Sequence, residues 1–249
     1  GTADDGVAIN TPPVYIVRRP APEVIDVTPL VEIRAGDILA FVDPAEGRLL
    51  GRRIAAEVEV IPAGRRVALS DALEAENAEE LHVYNESAAA EGFVVANNRF
   101  ERHRRHAIYA MGRGGLIENN TIDRVQGYGI VVANEADWPL GLVPADVTIR
   151  GNLVRGVGND RWYADRAHGA GIVVRATRLG DAAAGERMAR GFVLEDNRIV
   201  NPPGAGIYLG AVEGAVLRGN TVAGTEERES ARIAAAIVLE NCAGVRLRA

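Results

Sequence analysis

The chain has 249 residues, a formal net charge of -6, 47% hydrophobic residues and 28 glycines. That length supports a large core, and the acidic balance argues against nucleic acid as a general partner. No apolar run is long enough to span a membrane, and the single cysteine, Cys242, has no partner for an internal disulfide and reads as a small buried residue.

In chain order, residues 1–22 open on Gly-Thr-Ala-Asp-Asp and a strand-like Gly-Val-Ala-Ile-Asn, already inside what reads as one coil of a repeat. Residues 23–73 break that pattern. The short alternating stretches VIDVTP, EIRAGDILAFVD, GRRIAAEVEV and RRVALS, with turns at Ala35-Gly36-Asp37 and Asp43-Pro44, predict a small antiparallel β-barrel or sandwich inserted between coils. Over 74–249 an eight-residue pattern recurs five times, at 93–100, 115–122, 147–154, 192–199 and 215–222. It reads apolar, any, apolar, any, any, Asn, any, apolar, with the asparagines at Asn98, Asn120, Asn152, Asn197 and Asn220. A second short strand follows each copy: AIYA from Ala107, GIVV from Gly129, GIVV from Gly171, GIYL from Gly206 and AIVL from Ala236.

The uninterrupted repeats are 22 residues (Asn98 to Asn120) and 23 residues (Asn197 to Asn220), about one coil of a right-handed parallel β-helix. Period-two alternation sends one set of Val, Ile, Leu and Phe inward. Asn suits the bend between strands because it tolerates left-handed backbone, and stacked asparagine amides form a ladder from coil to coil. A leucine-rich repeat needs a Leu-dominated consensus and a helical repeat needs 3.6 periodicity; neither is present. The predicted fold is all-β, a right-handed parallel β-helix with an inserted barrel. A solenoid needs capped ends, so the abrupt start and the stop inside a sixth repeat predict a piece of a longer protein, with a missing N-terminal segment or a homo-oligomeric neighbour as partner.

Loops at 133–145, 156–168, 176–190 and 223–232 lengthen single coils, and loops on a rigid solenoid are where binding and chemistry concentrate. Two of them carry the only tryptophans, Trp138 and Trp162, each among acids. Such a ring either stacks on sugar CH groups or pins its own loop. Asp4 and Asp5 precede the first strand; at a coil bend two carboxyls converge, and one is then held protonated by the other. Glycoside hydrolysis uses such a pair, whereas the plain alternative is a solvated turn. In Arg102-His103-Arg104-Arg105-His106, alternation places Arg104 and His106 on one face and His103 and Arg105 on the other. Those arginines and Arg113 suit sugar hydroxyls or a carboxylate, or form solvated turns. His168 suits proton transfer or a structural role. There is no zinc spacing, and Gly112-Arg113-Gly114-Gly115 is a turn with no helix behind it, so no metal and no nucleotide is expected.

The order of these motifs (ADDGVAIN, then AGDILAFVD, then NNRFERHRRHAIYAMGRGGLIENNTI, then YGIVVANEADWPLGLVPADVTIRGN) resembles glycoside hydrolase family 110, the β-helical exo-acting α-1,3-galactosidases. The resemblance covers residues 1–155. It implies removal of a terminal sugar, an α-galactoside, by an inverting two-carboxylate mechanism, without a cofactor, in a secreted or periplasmic protein. It places Asp4 and Asp5 as the catalytic acids and Arg104, His106, Arg113, Glu135, Asp137 and Trp138 around the sugar. Ile9-Asn10-Thr11-Pro12 stands where that family has Asn-Val-His-Gly, Pro139 stands where it tends to have Tyr, and a further acid expected one coil upstream of Asp4 lies outside this sequence. Asp-Asp-Gly-Val-Ala-Ile also resembles the acidic motif of polygalacturonases (family 28). Two further readings keep the fold: a polysaccharide lyase or epimerase acting on uronates, and a non-catalytic carbohydrate-binding β-helix. In all of them the partner is carbohydrate, not nucleic acid or membrane.

Overall fold

A computed structural model describes residues 4–158, 160–164, 166–224 and 235–248. Its dominant body is a parallel β-helix of three sheets. The first sheet stacks Val7–Ile9, Ile108–Ala110, Ile130–Ala133, Ile172–Arg175, Ile207–Gly210 and Ile237–Glu240. The second stacks Val94–Ala96, Leu116–Glu118, Thr148–Arg150, Ala189–Glu195, Val212–Arg218 and Arg246–Arg248, and the third Arg99–Glu101, Thr121–Asp123, Leu153–Arg155, Arg198–Val200 and Thr221–Ala223. Every pairing within these three sheets is parallel.

Because the register is in step from coil to coil, identical positions stack. Val95, Ile117, Ile149, Leu194 and Leu217 form one interior column, and Phe100, Ile122, Val154, Ile199 and Val222 a second. Ile108, Ile130, Ile172 and Ile207 face them from the first sheet, and this column is fully buried. The small residue opening each first-sheet strand follows from that packing. A Cβ on Gly129 would stand 2.5 Å from Val154, and one on Gly206 2.4 Å from Val222.

The asparagines form the expected ladder. The Nδ2 of Asn98 donates to Asn120 Oδ1 at 3.1 Å, Asn120 to Asn152 at 3.0 Å, Asn152 to Asn197 at 2.9 Å and Asn197 to Asn220 at 2.9 Å. The left-handed backbone, however, sits one residue earlier, at Asn97, Asn119, Gly151, Asp196 and Gly219, with φ between 51° and 62°. The ladder residue itself turns inward to bond its neighbours; the residue before it takes the bend, and in this chain it is always Asn, Asp or Gly.

The inserted unit is a closed antiparallel barrel in the order Val14–Ala21, Val24–Val27, Gly64–Leu69, Arg48–Ile61, Ile38–Asp43 and His82–Asn85, around Ile25, Val27, Leu39, Phe41, Val67 and Val83. It reaches beyond the expected 23–73 limits at both ends. Val14–Ala21 and His82–Asn85 pair with each other and close the barrel, so the strands that enter and leave the insertion belong to it. Among the loops, 176–190 contains a two-stranded hairpin, Thr177–Arg178 with Ala182–Ala183. Most of the expected 223–232 loop lies outside the described residues.

Candidate active site on the outer face of the first sheet

Tyr109, Val131, Val173 and Tyr208 occupy one register column on the outer face of the first sheet and form a buried floor. Loops rise beside this floor. Between them lies a cleft of about 220 Å³ walled by His106, Glu135, Trp138, Tyr163, Arg166 and Arg175, among others.

Asp5 and Asp4 stand at the first strand's entrance and differ in environment. Gly6 N donates to His106 O at 3.0 Å, which docks the segment against the next coil. Asp5 Oδ1 accepts from the His106 backbone N–H at 2.9 Å. Burial pushes its carboxyl up to about 6; the His106 N–H and Arg105 oppose the rise, and Asp4 and Glu135 add to it. Asp4 is exposed. Its Oδ1 accepts from Arg105 at 3.1 Å, and that bond holds its carboxyl below the usual carboxylate range. The other side of the Arg105 guanidinium reaches the Tyr163 hydroxyl at 3.3 Å.

His106 is part of the wall. Its ring stacks on Tyr128 at 5.1 Å and meets the edges of Tyr109 and Tyr163 at 5.2 and 5.0 Å. Nδ1 accepts from Tyr128 N at 3.0 Å, and burial, with Arg105 and Arg175 nearby, lowers its pKa to about 3. The imidazole is therefore neutral, with its proton on Nε2. Burial raises the pKa of Glu135, against the pull of the neighbouring Tyr109 hydroxyl and Arg175. That hydroxyl is buried and has no partner at hydrogen-bonding geometry. Arg175, only 4% exposed, binds Asp181 at 2.5 Å, and Arg166 approaches the same carboxylate at 3.4 Å. Burial disfavours the Arg175 charge, but Asp181 and the surrounding tyrosines and Glu135 outweigh it and raise its pKa.

The cleft gathers His106, Glu135, Asp137 and Trp138 from the expected site residues, and Asp5 lies next to it through His106. Asp137 is committed elsewhere: its two oxygens accept from Gly180 N at 3.0 Å and Asp181 N at 2.8 Å and brace the hairpin turn. Trp138 is 68% exposed at the rim. Trp162 is as open, but Arg166 lies 3.9 Å over its ring and covers one face. Two expectations are corrected. Arg104 is exposed and off the cleft, and Arg105 occupies the place expected for it. Strand alternation fails there because 102–106 is a bend, with Arg102 at φ 56°. Arg113 lies in a separate cleft between barrel and solenoid, ion-paired with Glu86, which also holds Arg52 at 2.8 Å. Sequence reasoning missed Arg105, Tyr109, Tyr163, Arg175 and Asp181. Tyr109 and Arg175 had a signal, since both occupy outward positions of first-sheet strands. Among the described residues no three His, Cys, Asp or Glu side chains converge as a metal site requires.

Residues 86–179 match the family model for the right handed beta helix region. The solenoid is thus a right-handed β-helix, in agreement with its three parallel sheets. In a comparison with curated proteins, none matches the chain. Among solved structures, the chain is similar to the tailspike protein gp49 from Pseudomonas phage LKA1, at 16% identity and a TM-score of 0.34, covering 98% of this chain and 41% of that one. It is also similar to the gp54 tailspike of Acinetobacter baumannii bacteriophage AP22, solved in complex with A. baumannii capsular saccharide, at 10% identity and a TM-score of 0.30, covering 98% and 57%. A third is the Pseudomonas phage phi297 tailspike gp61, at 14% identity and a TM-score of 0.23, covering 97% and 57%. The chain spans about half the length of these structures.

Proposed function

We propose that this chain is a glycan-cleaving β-helix that hydrolyses a glycosidic bond at the Asp5 cleft. The observation that carries the reading is the contrast between two adjacent carboxyls. Asp5 is shielded and titrates near 6, while Asp4 is exposed and kept ionised by Arg105. Two carboxyls driven apart in this way supply an acid and a base at one pH. Asp5 protonates the leaving glycosidic oxygen. Asp4, as carboxylate, takes a proton from the attacking water. Trp138 offers an apolar face for sugar CH groups, and the Glu135 carboxyl in the cleft wall hydrogen-bonds to sugar hydroxyls. The narrower form of the proposal is exo-release of a terminal α-galactose with inversion, outside the cell.

The test is a screen against aryl α- and β-glycosides and oligosaccharides, with product anomers followed by NMR. Release of an inverted monosaccharide that disappears in Asp5→Asn supports hydrolysis. Unsaturated uronate products, read as a rise in ultraviolet absorbance, replace hydrolysis by elimination. Glycan binding with no turnover reduces the protein to a binding module.

A further inference from the structure

The pairing of a first-sheet tyrosine with a carboxyl of the following coil recurs further along the solenoid. Tyr208 occupies the register column of Tyr109, three strands on, which places the two about 14 Å apart at ~4.8 Å per strand. As Tyr109 faces Glu135 of the following coil, so Tyr208 faces Glu240 of its following coil and donates to Glu240 Oε2 at 2.8 Å. The His168 ring lies 5.2 Å from Tyr208, and its Nε2 stands 3.8 Å from the same carboxylate. These three side chains line a second cleft, of about 360 Å³. Arg166, Arg175 and Asp181 line both clefts, so one charged ridge separates them; beneath it Val131 and Val173 continue the buried column from Tyr109 to Tyr208.

The chemistry of the walls points to one class of occupant. In the second cleft Arg166 and Arg175 stand against Asp181 and Glu240, and Arg105 is paired with Asp4, so the walls carry no net cation for an acidic sugar. The half-exposed Glu240 carboxylate, the Tyr208 hydroxyl and the His168 ring offer hydrogen-bonding partners of the kind sugar hydroxyls use. A span of about 14 Å is more than one pyranose ring, so a single terminal sugar does not reach both pairs.

We propose that His168, Tyr208 and Glu240 form a second sugar subsite in series with the Asp5 cleft, and that the chain therefore grips a neutral oligosaccharide along the solenoid axis and cleaves inside it. This rests on the glycan-cleaving reading and replaces its exo form by an internal cut.

The experiment uses a ladder of neutral α-linked galacto-oligosaccharides, from disaccharide to octasaccharide. Binding is measured by calorimetry on Asp5→Asn, and product lengths by chromatography on the unaltered chain. The expected result is affinity that rises at least about tenfold between the shortest and longer members, oligomeric rather than monomeric first products, and loss of the length advantage in Asp5→Asn combined with Glu240→Gln or Tyr208→Phe. Cleavage that yields only monosaccharide, at a rate independent of length, overturns the second subsite and leaves hydrolysis standing. Product lengths come from the unaltered chain, so they decide the matter even where a double variant does not fold. Absence of both binding and cleavage across the ladder overturns the subsite together with the galactoside reading.

Discussion

Asn152→Ala tests the ladder that holds the coils in register. Asn152 is 1% exposed. Its Oδ1 accepts from both the backbone N–H and the Nδ2 of Asn120, each at 3.0 Å, and its own Nδ2 donates to Ile117 O, Arg150 O and Asn197 Oδ1. Alanine removes all five bonds. The Asn120 Nδ2 keeps Val95 O at 2.8 Å, but its backbone N–H loses its side-chain acceptor in the interior. With one buried donor stranded at about 1–3 kcal/mol and a second losing one of its two acceptors at about 1 kcal/mol, the substitution costs about 2–4 kcal/mol. Asn98→Ala is the internal control. Asn98 is exposed at the start of the ladder and its Nδ2 makes only the bonds to Ala96 O and Asn120 Oδ1, so alanine there costs about 1 kcal/mol. Urea unfolding followed by circular dichroism, with amide exchange at Asn120 as local probe, reads the difference. Equal losses in the two variants, or unchanged exchange at Asn120, refute the reasoning that buried rungs of the ladder hold coil to coil.

His106 makes the protein acid-sensitive. Its pKa is about 3 in the fold against an ordinary 6.5, so its stabilising contribution is complete above 6.5 and is lost as pH falls toward 3, because the unfolded chain takes up a proton that the fold refuses. The loss is on the order of 5 kcal/mol at the acid end, and His106→Gln flattens the stability-against-pH curve between those values; an unchanged curve contradicts the role. Asp137→Ala releases the Gly180 and Asp181 amides of the 176–190 hairpin; their hydrogen exchange accelerates by roughly tenfold, at a cost of about 1–2 kcal/mol, and unchanged exchange denies the bracing role.

The solenoid was legible because a repeated environment leaves a repeated residue: five asparagines at one position and an apolar column on either side of them. What the pattern hid was the division of labour at the bend, since Asn97 and Asn119 look like the rung residues next to them while taking the left-handed turn themselves. The barrel's closing strands were also hidden, because Val14–Ala21 alternates as a coil strand does and only its pairing with His82–Asn85 distinguishes it. Where the expected residues lie on strands or beside them, as with Asp5, Glu135 and Trp138, the structure brings them to or next to one cleft. The expectation failed at Arg104, where a bend cancels the parity of alternation and brings Arg105 inward, and at Asp137, whose carboxylate two backbone amides claim from a hairpin 43 residues later. Arg113 stands beside the second sheet, so nearness in sequence to the His106 coil did not bring it to the first.

The central claim is that Asp5 is the proton donor of a glycosidic cleavage. The most direct measurement is the pH dependence of kcat/KM for glycan cleavage by the unaltered chain and by Asp5→Asn. The carboxyl must be protonated to donate, so cleavage is predicted to fall as pH rises through about 6 and to vanish in Asp5→Asn while glycan binding persists. Cleavage that survives in Asp5→Asn, or that rises through pH 6 in the unaltered chain, contradicts the account.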